Sequence, residues 1–363
     1  MSSQITQLFF SIADSAFPVR TANDAIAFFQ NDTFFQLAFQ KEKRVKDLVA
    51  FFKSKKNFRV IFSYIYRNLS VNSPSIELDY LPEGYFNVQD ASDEDQKVAN
   101  LSGAIVIVNS GDAGLYGNAY ARIYNRCTDT IFVVWDQDNH HWLEVSTFIA
   151  AHSDAYIPLH VDNLYALSRY NQVIMGPVPS GTIQWTSKFL AGHVDMMLEQ
   201  QRSNEPLGKH IMYGKFAYRS KVVTTLHNKI PSIDFSTAQF HHRSDEDRFC
   251  EWCRHKCHWI VPILNDIPQR LFDAMVTGGI PIVPESLRFL TPVSEIKRDS
   301  ILFYGAADIF EPEAIVAKAT AMFDEGGTEA MLERYHFALE MHHADSRIKH
   351  ILAYVAERFE LAL

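Results

Sequence analysis

The segment 265–284, NDIPQRLFDAMVTGGIPIVP, predicts a short amphipathic helix that runs directly into a buried strand. Pro268 suits the first turn of a helix, where its missing N–H has no partner to lose. Gly278 suits the end of the helix, where a left-handed residue is needed, and residues 280–283 then read as a parallel strand. The apolar stripe expected to face the core consists of Leu271, Phe272, Met275 and Val276.

The start of this helix is predicted to offer free N–H groups to an anion, with Asn265 or Asp266 as its cap. Arg270 and Asp273 are three residues apart and therefore share one face of the helix. A guanidinium there suits a diphosphate, and a carboxylate suits the paired hydroxyls of a ribose. The segment therefore predicts a nucleotide site.

Composition limits the functional classes. The chain has 363 residues, 47% of them apolar, and a net charge of −9, which argues against bulk nucleic-acid binding because that requires a basic face. No apolar run reaches the length of a membrane span, and the N-terminal residues lack the pattern of a secretory leader. With only four cysteines, a reducing compartment is expected. We expect a cytoplasmic protein; peripheral association with the inner membrane face and a homodimer are both compatible with the sequence.

Short β-branched apolar segments alternate with stretches long enough for helices, which predicts βαβ units and buried parallel sheets. A first series lies at 103–110, 130–136, 154–160 and 172–179, and a second at 210–216, 231–236, 259–264, 280–284 and 300–306. The predicted fold class is α/β, with two tandem Rossmann-like domains and a helical N-terminal extension. The expected boundaries are a mostly helical extension over 1–95, one domain over 96–204, a second over 205–345 and a C-terminal helix over 346–363. The stretch 81–100 reads as a linker.

The opening segment resembles the nucleotide-sugar segment of GT-B glycosyltransferases, in particular the exostosin-like pattern Ser-x-Arg-x-x-Glu/Asp-Ala followed by Gly-x-Ile-Pro-Val-Ile. The matching residues are Pro268, Arg270, Asp273, Ala274, Gly278, Ile280, Pro281, Ile282 and Val283. In the broader group two acidic residues have seven residues between them, and the second holds the ribose. Asp273 stands at the second position but Asn265 at the first, and Gln269 or Pro268 replaces the serine.

The resemblance covers about residues 205–320, since MYGKFAYRSKVVTTL at 212–226 is similar to the first strand, loop and helix of GT-B donor domains. It implies that Gly214, Lys215 and Arg219 lie near the diphosphate. It also implies metal-independent transfer of a sugar from a nucleotide sugar to a hydroxyl of a glycan or a lipid-linked glycan, with no cofactor. The acceptor would bind to the N-terminal domain.

A second group of polar residues, VVWDQDNHHW at 133–142, follows directly on an apolar strand. Carboxyl ends of parallel strands are where ligands bind in open α/β sheets. An inverting transfer needs a base for the acceptor hydroxyl, and we assign this role to His141 with Asp138 to orient it, together with His140. Asp136 is predicted to contact the acceptor.

The glycine-rich stretch 109–122 is predicted to be a loop that binds the acceptor through Gly114, Gly117 and Asn118, although an ordinary tight turn fits the same letters.

Three other interpretations remain open at this point. Asp136 and Asp138 fit the Asp-x-Asp of metal-dependent glycosyltransferases, and a metallohydrolase could add His140 and His141, with His152 or His160 as further ligands. A non-catalytic binder of nucleotides or sugars would share the same fold.

The cysteines in CEWCRHKCH at 250–258 have spacing that places all three on one helix face, so a packing role is favoured over a metal site.

Overall fold

A computed structural model describes residues 32–214, 216–236 and 243–362 of the chain. The protein is α/β, and its chain divides into two compact units. Unit 1 takes residues up to 67, 71–178 and 348 to the C-terminus, and unit 2 takes 68–70 and 179–347. The chain therefore leaves unit 1 briefly at 68–70, leaves it again after Val178, and returns to it with its last helix.

Unit 1 is built on one parallel sheet of five strands in the order β2-β1-β3-β4-β5. The strands are β1 (Phe58–Phe62), β2 (Ile76–Tyr80), β3 (Ala104–Asn109), β4 (Ile131–Asp136) and β5 (Ala155–Pro158). The helices are α1 (Asp32–Phe52), α2 (Ala91–Leu101), α3 (Ser110–Leu115), α4 (Gly117–Arg126), α5 (Leu143–Ala151) and α6 (Leu164–Leu167). All residues of β3 and β4 are buried, as expected for central strands of a parallel sheet covered on both faces.

Two parts of unit 1 differ from the sequence prediction. The range 1–95 contributes β1 and β2 to the sheet, and the predicted linker over 81–100 contains α2, capped by Asp90. Strand β2, IELDY, lies at the edge of the sheet and is only partly buried. Its polar residues are therefore tolerated, and they make the segment look like a loop in the sequence. The segment 172–179 forms only a bridge between Ile174 and Tyr156. The predicted helices of residues 1–31 lie outside the described residues.

Unit 2 contains the parallel sheets β10-β9-β8 and β6-β7, and a parallel bridge between Leu207 and His258 links them into the order β7-β6-β8-β9-β10. The strands are β6 (Gly208–His210), β7 (Ile233–Phe235), β8 (Cys257–Trp259), β9 (Ile280–Pro284) and β10 (Leu302–Tyr304). The helices are α7 (Ser187–Gly192), α8 (Val194–Glu199), α9 (Ala217–His227), α10 (Asp245–Cys253), α11 (Gln269–Val276), α12 (Pro312–His336) and α13 (Ala344–Phe359), the last continuing into unit 1.

Unit 2 begins about 25 residues before the predicted boundary at 204/205, because the first unit ends at Val178. Helices α7 and α8 belong to it, since Trp185, Leu190 and Met197 are fully buried in its hydrophobic core. Residues 199–209 have the polar composition of a linker between domains, but they form a connection within unit 2 that leads into β6.

The opening segment folds largely as predicted. Helix α11 buries its whole apolar stripe, and β9 covers Ile280–Pro284. Gly278 has φ +73°, the left-handed conformation expected after a helix. Two arginines satisfy the last carbonyls: the partly buried Arg202 donates to Thr277 O at 2.7 Å, and the fully buried Arg334 donates to Gly278 O at 2.8 Å. These cations also complement the negative end of the helix dipole.

The predicted cap of α11 is wrong. Pro268 occupies the N-cap position without a side-chain hydrogen bond, and the carboxylate of Asp266 instead accepts from the backbone N–H of Ile263 at 2.9 Å. The cysteines also differ in part, since α10 ends at Cys253 and Cys257 begins β8. All four are free thiols, in line with a packing role. Among the described residues, no helix is both long and apolar enough to cross a membrane.

Candidate functional site

The strand order of unit 2 reverses between β6 and β8, and in open parallel sheets ligands bind outside the carboxyl ends of the strands at such a point. His210 ends β6 there with 1% of its surface exposed. Its Nε2 has no hydrogen-bond partner in the described part of the chain. Burial, followed by the charges of Arg270 and Arg219, holds the pKa of His210 well below its usual range, so the imidazole is neutral.

Arg219 on α9 ties the two loops at this point together. Its Nε donates to Val261 O at 3.0 Å, after β8, and its Nη1 donates to Ile211 O, after β6. The side chain is 8% exposed. The predicted contact with a diphosphate is therefore secondary to a structural role, which is to fix the shape of both loops.

Arg270, in the first turn of α11, is the more available cation. Its side chain is partly exposed and, among the residues described, forms neither a hydrogen bond nor an ion pair. Burial lowers its pKa to about 10, an effect that the charge of Asp273 opposes and that of Arg219 reinforces. Arg270 therefore remains a cation at neutral pH and has unused N–H donors for an anion.

Asp273 lies one turn further along α11 and is only 2% exposed. Its carboxylate accepts from Thr182 Oγ1 and from Gln184 Nε2, each at 2.5 Å. Burial raises its pKa to about 6, against the lowering effect of these two hydrogen bonds. The predicted ribose contact is not available in this arrangement, because a ribose hydroxyl would first have to displace Thr182 or Gln184.

The other predicted donor residues are less informative. Gly214 is exposed, and a Cβ built on it would meet no atom within 4 Å. Asn265 is exposed in the turn that precedes α11. Lys215 lies outside the described residues. Of the predicted donor set, the structure thus brings together Arg219, Arg270 and Asp273.

In unit 1 the second predicted group follows β4 at the carboxyl edge of the sheet. Asp136 is fully buried, and both its oxygens are used: Tyr156 Oη donates to one at 2.5 Å and the N–H of Asp138 to the other at 2.9 Å. We therefore correct the predicted acceptor contact of Asp136. It fixes the course of the chain after β4, since a buried carboxylate with two satisfied oxygens has nothing to offer a substrate.

Asp138 and His141 lie close to each other. Asp138 Oδ1 lies 3.7 Å from His141 Nε2, beyond hydrogen-bonding distance, and Ser110 Oγ donates to Asp138 Oδ2 at 3.3 Å. Burial raises the pKa of Asp138, opposed by the Ser110 hydrogen bond. The two side chains are partly buried, which suits an acid–base pair that a substrate can reach.

Asn139 holds the following turn in place. Its side-chain oxygen accepts from the N–H groups of Leu159 and His160, both at 3.0 Å, and its side-chain nitrogen donates to the carbonyls of His160 and Asp162 at 2.9 and 2.8 Å. All four hydrogen bonds cross to the segment after β5. As a result the ring of His140 lies 4.7 Å from the ring of His160 and 4.3 Å from that of His141, between ring centroids.

The predicted acceptor loop over 109–122 is helical, forming α3 and α4. A Cβ on Gly114 would lie 2.6 Å from Val145 Cγ1, and one on Gly117 would lie 3.3 Å from Phe148 Cε1. Both glycines therefore permit close packing against α5, and the prediction that they cradle a ligand is corrected on this ground. Asn118 is exposed on α4.

The metal interpretations find no support in the arrangement. Asp136 is sealed from solvent, and His152 bonds to the carbonyl of Phe148 at 2.8 Å. Within the described ranges, no group of three or more His, Cys, Asp or Glu side chains is placed to hold a metal ion.

Sequence reasoning underestimated two residues. His210 begins the predicted strand 210–216, whereas β6 covers Gly208–His210 and ends at it, so no sequence signal indicated its place at the carboxyl edge. From the sequence, His160 enters only as a further ligand in the metal interpretation, although it follows β5 at the same sheet edge as 136–141, and that shared edge was the available signal.

Comparison with known proteins gives no family for this chain: no protein-family model matches it, and no curated protein shows significant similarity.

Proposed function

We propose that the protein is a glycosyltransferase that moves a sugar from a nucleotide sugar to a hydroxyl of a glycan or a lipid-linked glycan, without a metal ion. Unit 2 would bind the donor and unit 1 the acceptor. The observation that carries this proposal is Arg270, a partly exposed cation with no hydrogen bond or ion pair among the described residues. It lies on the exostosin-like segment, and its charge reaches His210 beside the strand reversal of unit 2.

The finer architecture belongs to the same proposal: two tandem Rossmann-like domains of the GT-B type. Its support is the strand order, which runs β2-β1-β3-β4-β5 in unit 1 and β7-β6-β8-β9-β10 in unit 2. Each sheet is parallel and starts in the middle, steps once to one side, and then proceeds to the other. This is the flavodoxin-like, doubly wound order, whose point of reversal is a common ligand site and lies between β6 and β8 in unit 2.

The chemistry assigned to each unit follows from its charges. The acceptor oxygen forms a bond to the anomeric carbon while the bond from that carbon to the diphosphate breaks, and the diphosphate leaves with the electron pair. Arg270 would stabilise the charge that develops on this leaving group. The acceptor proton would pass to the pair of Asp138 and His141, where the raised pKa of Asp138 makes the carboxylate a better base than an ordinary aspartate.

Donor binding is tested by calorimetry of the full chain with UDP, GDP, CMP, ADP and TDP and their common sugar conjugates, with and without EDTA. We expect at least one nucleotide to bind equally well in EDTA, and Arg270→Gln to weaken it by about tenfold or more, as for the loss of a charge-assisted hydrogen bond. Arg254→Gln is the matched control, since Arg254 is exposed and directly follows α10, before β8 begins. Binding that requires a divalent ion, or an absence of binding, would contradict the proposal.

Catalysis needs a separate test. With the nucleotide sugar that binds, Asp138→Asn should abolish turnover and leave donor affinity within about twofold, because Asp138 is assigned to the acceptor. A non-catalytic nucleotide or sugar binder would show no turnover even with the unchanged protein.

A further inference from the structure

Two imidazoles at the carboxyl edge of the unit 1 sheet carry unsatisfied polar atoms. In the described part of the chain, both ring nitrogens of His140 and the Nε2 of His160 are buried and have no hydrogen-bond partner. His160 is 9% exposed. Buried polar atoms are almost always paired, and leaving one unpaired costs about 1–3 kcal/mol. A cluster of three such atoms in adjacent rings indicates a place where a ligand supplies the missing partners.

We propose that His140, His160 and Trp142 form a subsite for a pyranose ring. Its role as the site of the acceptor sugar rests on the proposed function, but binding of the ring itself does not.

The subsite is preorganised. The four hydrogen bonds of Asn139 join the turn after β4 to the segment after β5, and Asn163 Nδ2 adds a fifth link to Asn139 O at 2.7 Å. His140 and His160 are thus held next to each other although they are 20 residues apart. A site fixed by this many backbone links loses little conformational entropy when a ligand binds.

The protonation state of the rings selects the type of ligand. Burial, followed by the charges of His160 and His141, lowers the pKa of His140 to about 2, and burial also lowers that of His160. Each ring is therefore neutral, with one N–H donor and one acceptor nitrogen. A sugar hydroxyl both donates and accepts, so a pair of neighbouring hydroxyls can satisfy both rings. The diphosphate of a nucleotide sugar has no hydrogen to donate to the acceptor nitrogens, and the nearby carboxylate of Asp138 would repel it.

Trp142 supplies the apolar surface that a sugar ring needs. It is 42% exposed, and its ring is nearly parallel to that of His141, with 5° between the planes and 6.4 Å between the centroids. The C–H face of a pyranose is apolar and can cover an exposed indole, while its hydroxyls point outward to polar groups. Sites for small molecules usually combine an aromatic surface with a small number of polar groups.

The test is ligand-observed NMR and calorimetry on the full chain with the methyl pyranosides of glucose, galactose, mannose and N-acetylglucosamine, and with cyclohexanol and glycerol as controls. We expect at least one pyranoside to bind and both controls to fail. Trp142→Ala and His140→Phe should each weaken that pyranoside by about tenfold, which corresponds to one stacking contact or one hydrogen bond in a buried site. Tyr165→Ala is the matched control, because Tyr165 is a 70% exposed aromatic residue of the same unit. The affinity of this variant for the pyranoside should stay within twofold of that of the unchanged protein. Circular dichroism confirms that each variant is folded.

Three outcomes would overturn the inference: no pyranoside binds, cyclohexanol binds as well as the pyranosides, or folded Trp142→Ala and His140→Phe proteins both bind as the unchanged protein does. The nucleotide titrations are scored separately. Nucleotide binding without pyranoside binding overturns this inference and leaves the proposed function standing. Pyranoside binding that depends on Trp142, in a protein that binds no nucleotide, supports the subsite and removes the proposed transfer.

Discussion

Replacing the buried carboxylate of Asp273 should change how the stability of the protein depends on pH. The pKa of Asp273 rises from 3.8 to about 6 in the folded chain, chiefly through burial. The folded state therefore holds a proton between about pH 4 and 6 that the unfolded state releases. It follows that the carboxyl group imposes no penalty below pH 4, and that its contribution to the free energy of unfolding falls as pH rises through this window.

The size of the effect follows from the shift. About 2 pH units at about 1.4 kcal/mol each correspond to a loss of about 3 kcal/mol between pH 4 and pH 7. Asp273→Asn removes the charge and keeps the shape. Thr182 can still donate to the amide oxygen. The Oε1 of Gln184, which has no hydrogen-bond partner among the described residues, can accept from the new amide once the Gln184 side chain rotates by half a turn. Asp273→Asn should therefore be as stable as the unchanged protein at pH 4 and about 3 kcal/mol more stable at pH 7.

The assay is urea unfolding of both proteins from pH 4 to pH 7.5, with the difference in unfolding free energy plotted against pH. Asp79→Asn provides a control of opposite sign, because the hydrogen bond from Arg59 lowers the pKa of Asp79, and its loss should cost stability at neutral pH but not at low pH. A flat difference curve for Asp273→Asn, or one that falls with rising pH, would refute the reasoning about its burial.

Two further predictions concern unit 1. Gly114→Ala should destabilise the protein by about 1–2 kcal/mol despite the better helix propensity of alanine, because its Cβ would lie 2.6 Å from Val145 Cγ1. Adding Val145→Ala should recover most of this loss in a double-mutant cycle. Additive effects of the two substitutions would disprove the packing role. Tyr156→Phe should cost about 1–3 kcal/mol in thermal or urea unfolding, since it leaves a buried oxygen of Asp136 without its 2.5 Å donor; an unchanged stability would show that this oxygen has another partner.

The central strands and the opening segment could be predicted because their signals are local. Strands β3, β4 and β9 are continuous apolar runs, and Gly278 is a residue whose backbone conformation, φ +73°, few others adopt. Edge elements gave no such signal. Strand β2 is half-buried and carries Glu77 and Asp79, so its composition is that of a loop.

The sequence predicts which residues lie at the carboxyl edge of a sheet, because these residues directly follow a strand. It predicts no more of the candidate site than this. That rule placed Asp138 and His141 together, but it could not distinguish a side chain that faces solvent from one sealed by its neighbours. Asp136 is taken up by Tyr156, and Asp273 by Thr182 and Gln184, which lie about 90 residues away in the chain. Such partners depend on tertiary packing, and no local pattern reports them.

The charges at the two sheet edges support different ligands for the two units. In unit 2 the carboxyl edge carries Arg219 and Arg270, the carboxyl of Asp273 is buried beside them, and His210 is neutral. An anion bound there meets positive charge with no exposed carboxylate from this group to oppose it. In unit 1 the edge combines the carboxylate of Asp138 with the neutral rings of His140 and His160, an environment that repels a diphosphate and accepts hydroxyls.

This difference bears on the proposed transfer. If both sheet edges were cationic, a nucleotide sugar would bind to either unit. The proton acceptor Asp138 would then face the donor as often as it faces the acceptor. Because burial lowers the pKa values of His140 and His160 and leaves Asp138 beside these neutral rings, this edge favours an uncharged ligand with hydroxyl groups over an anion. In the proposed transfer, Asp138 and His141 would take the proton of a neutral hydroxyl, and Arg270 would stabilise the leaving anion. Reversing the charge of one edge, for example with Asp138→Lys, should therefore draw nucleotide to unit 1 as a second, unproductive ligand, detectable as a second binding event in calorimetry.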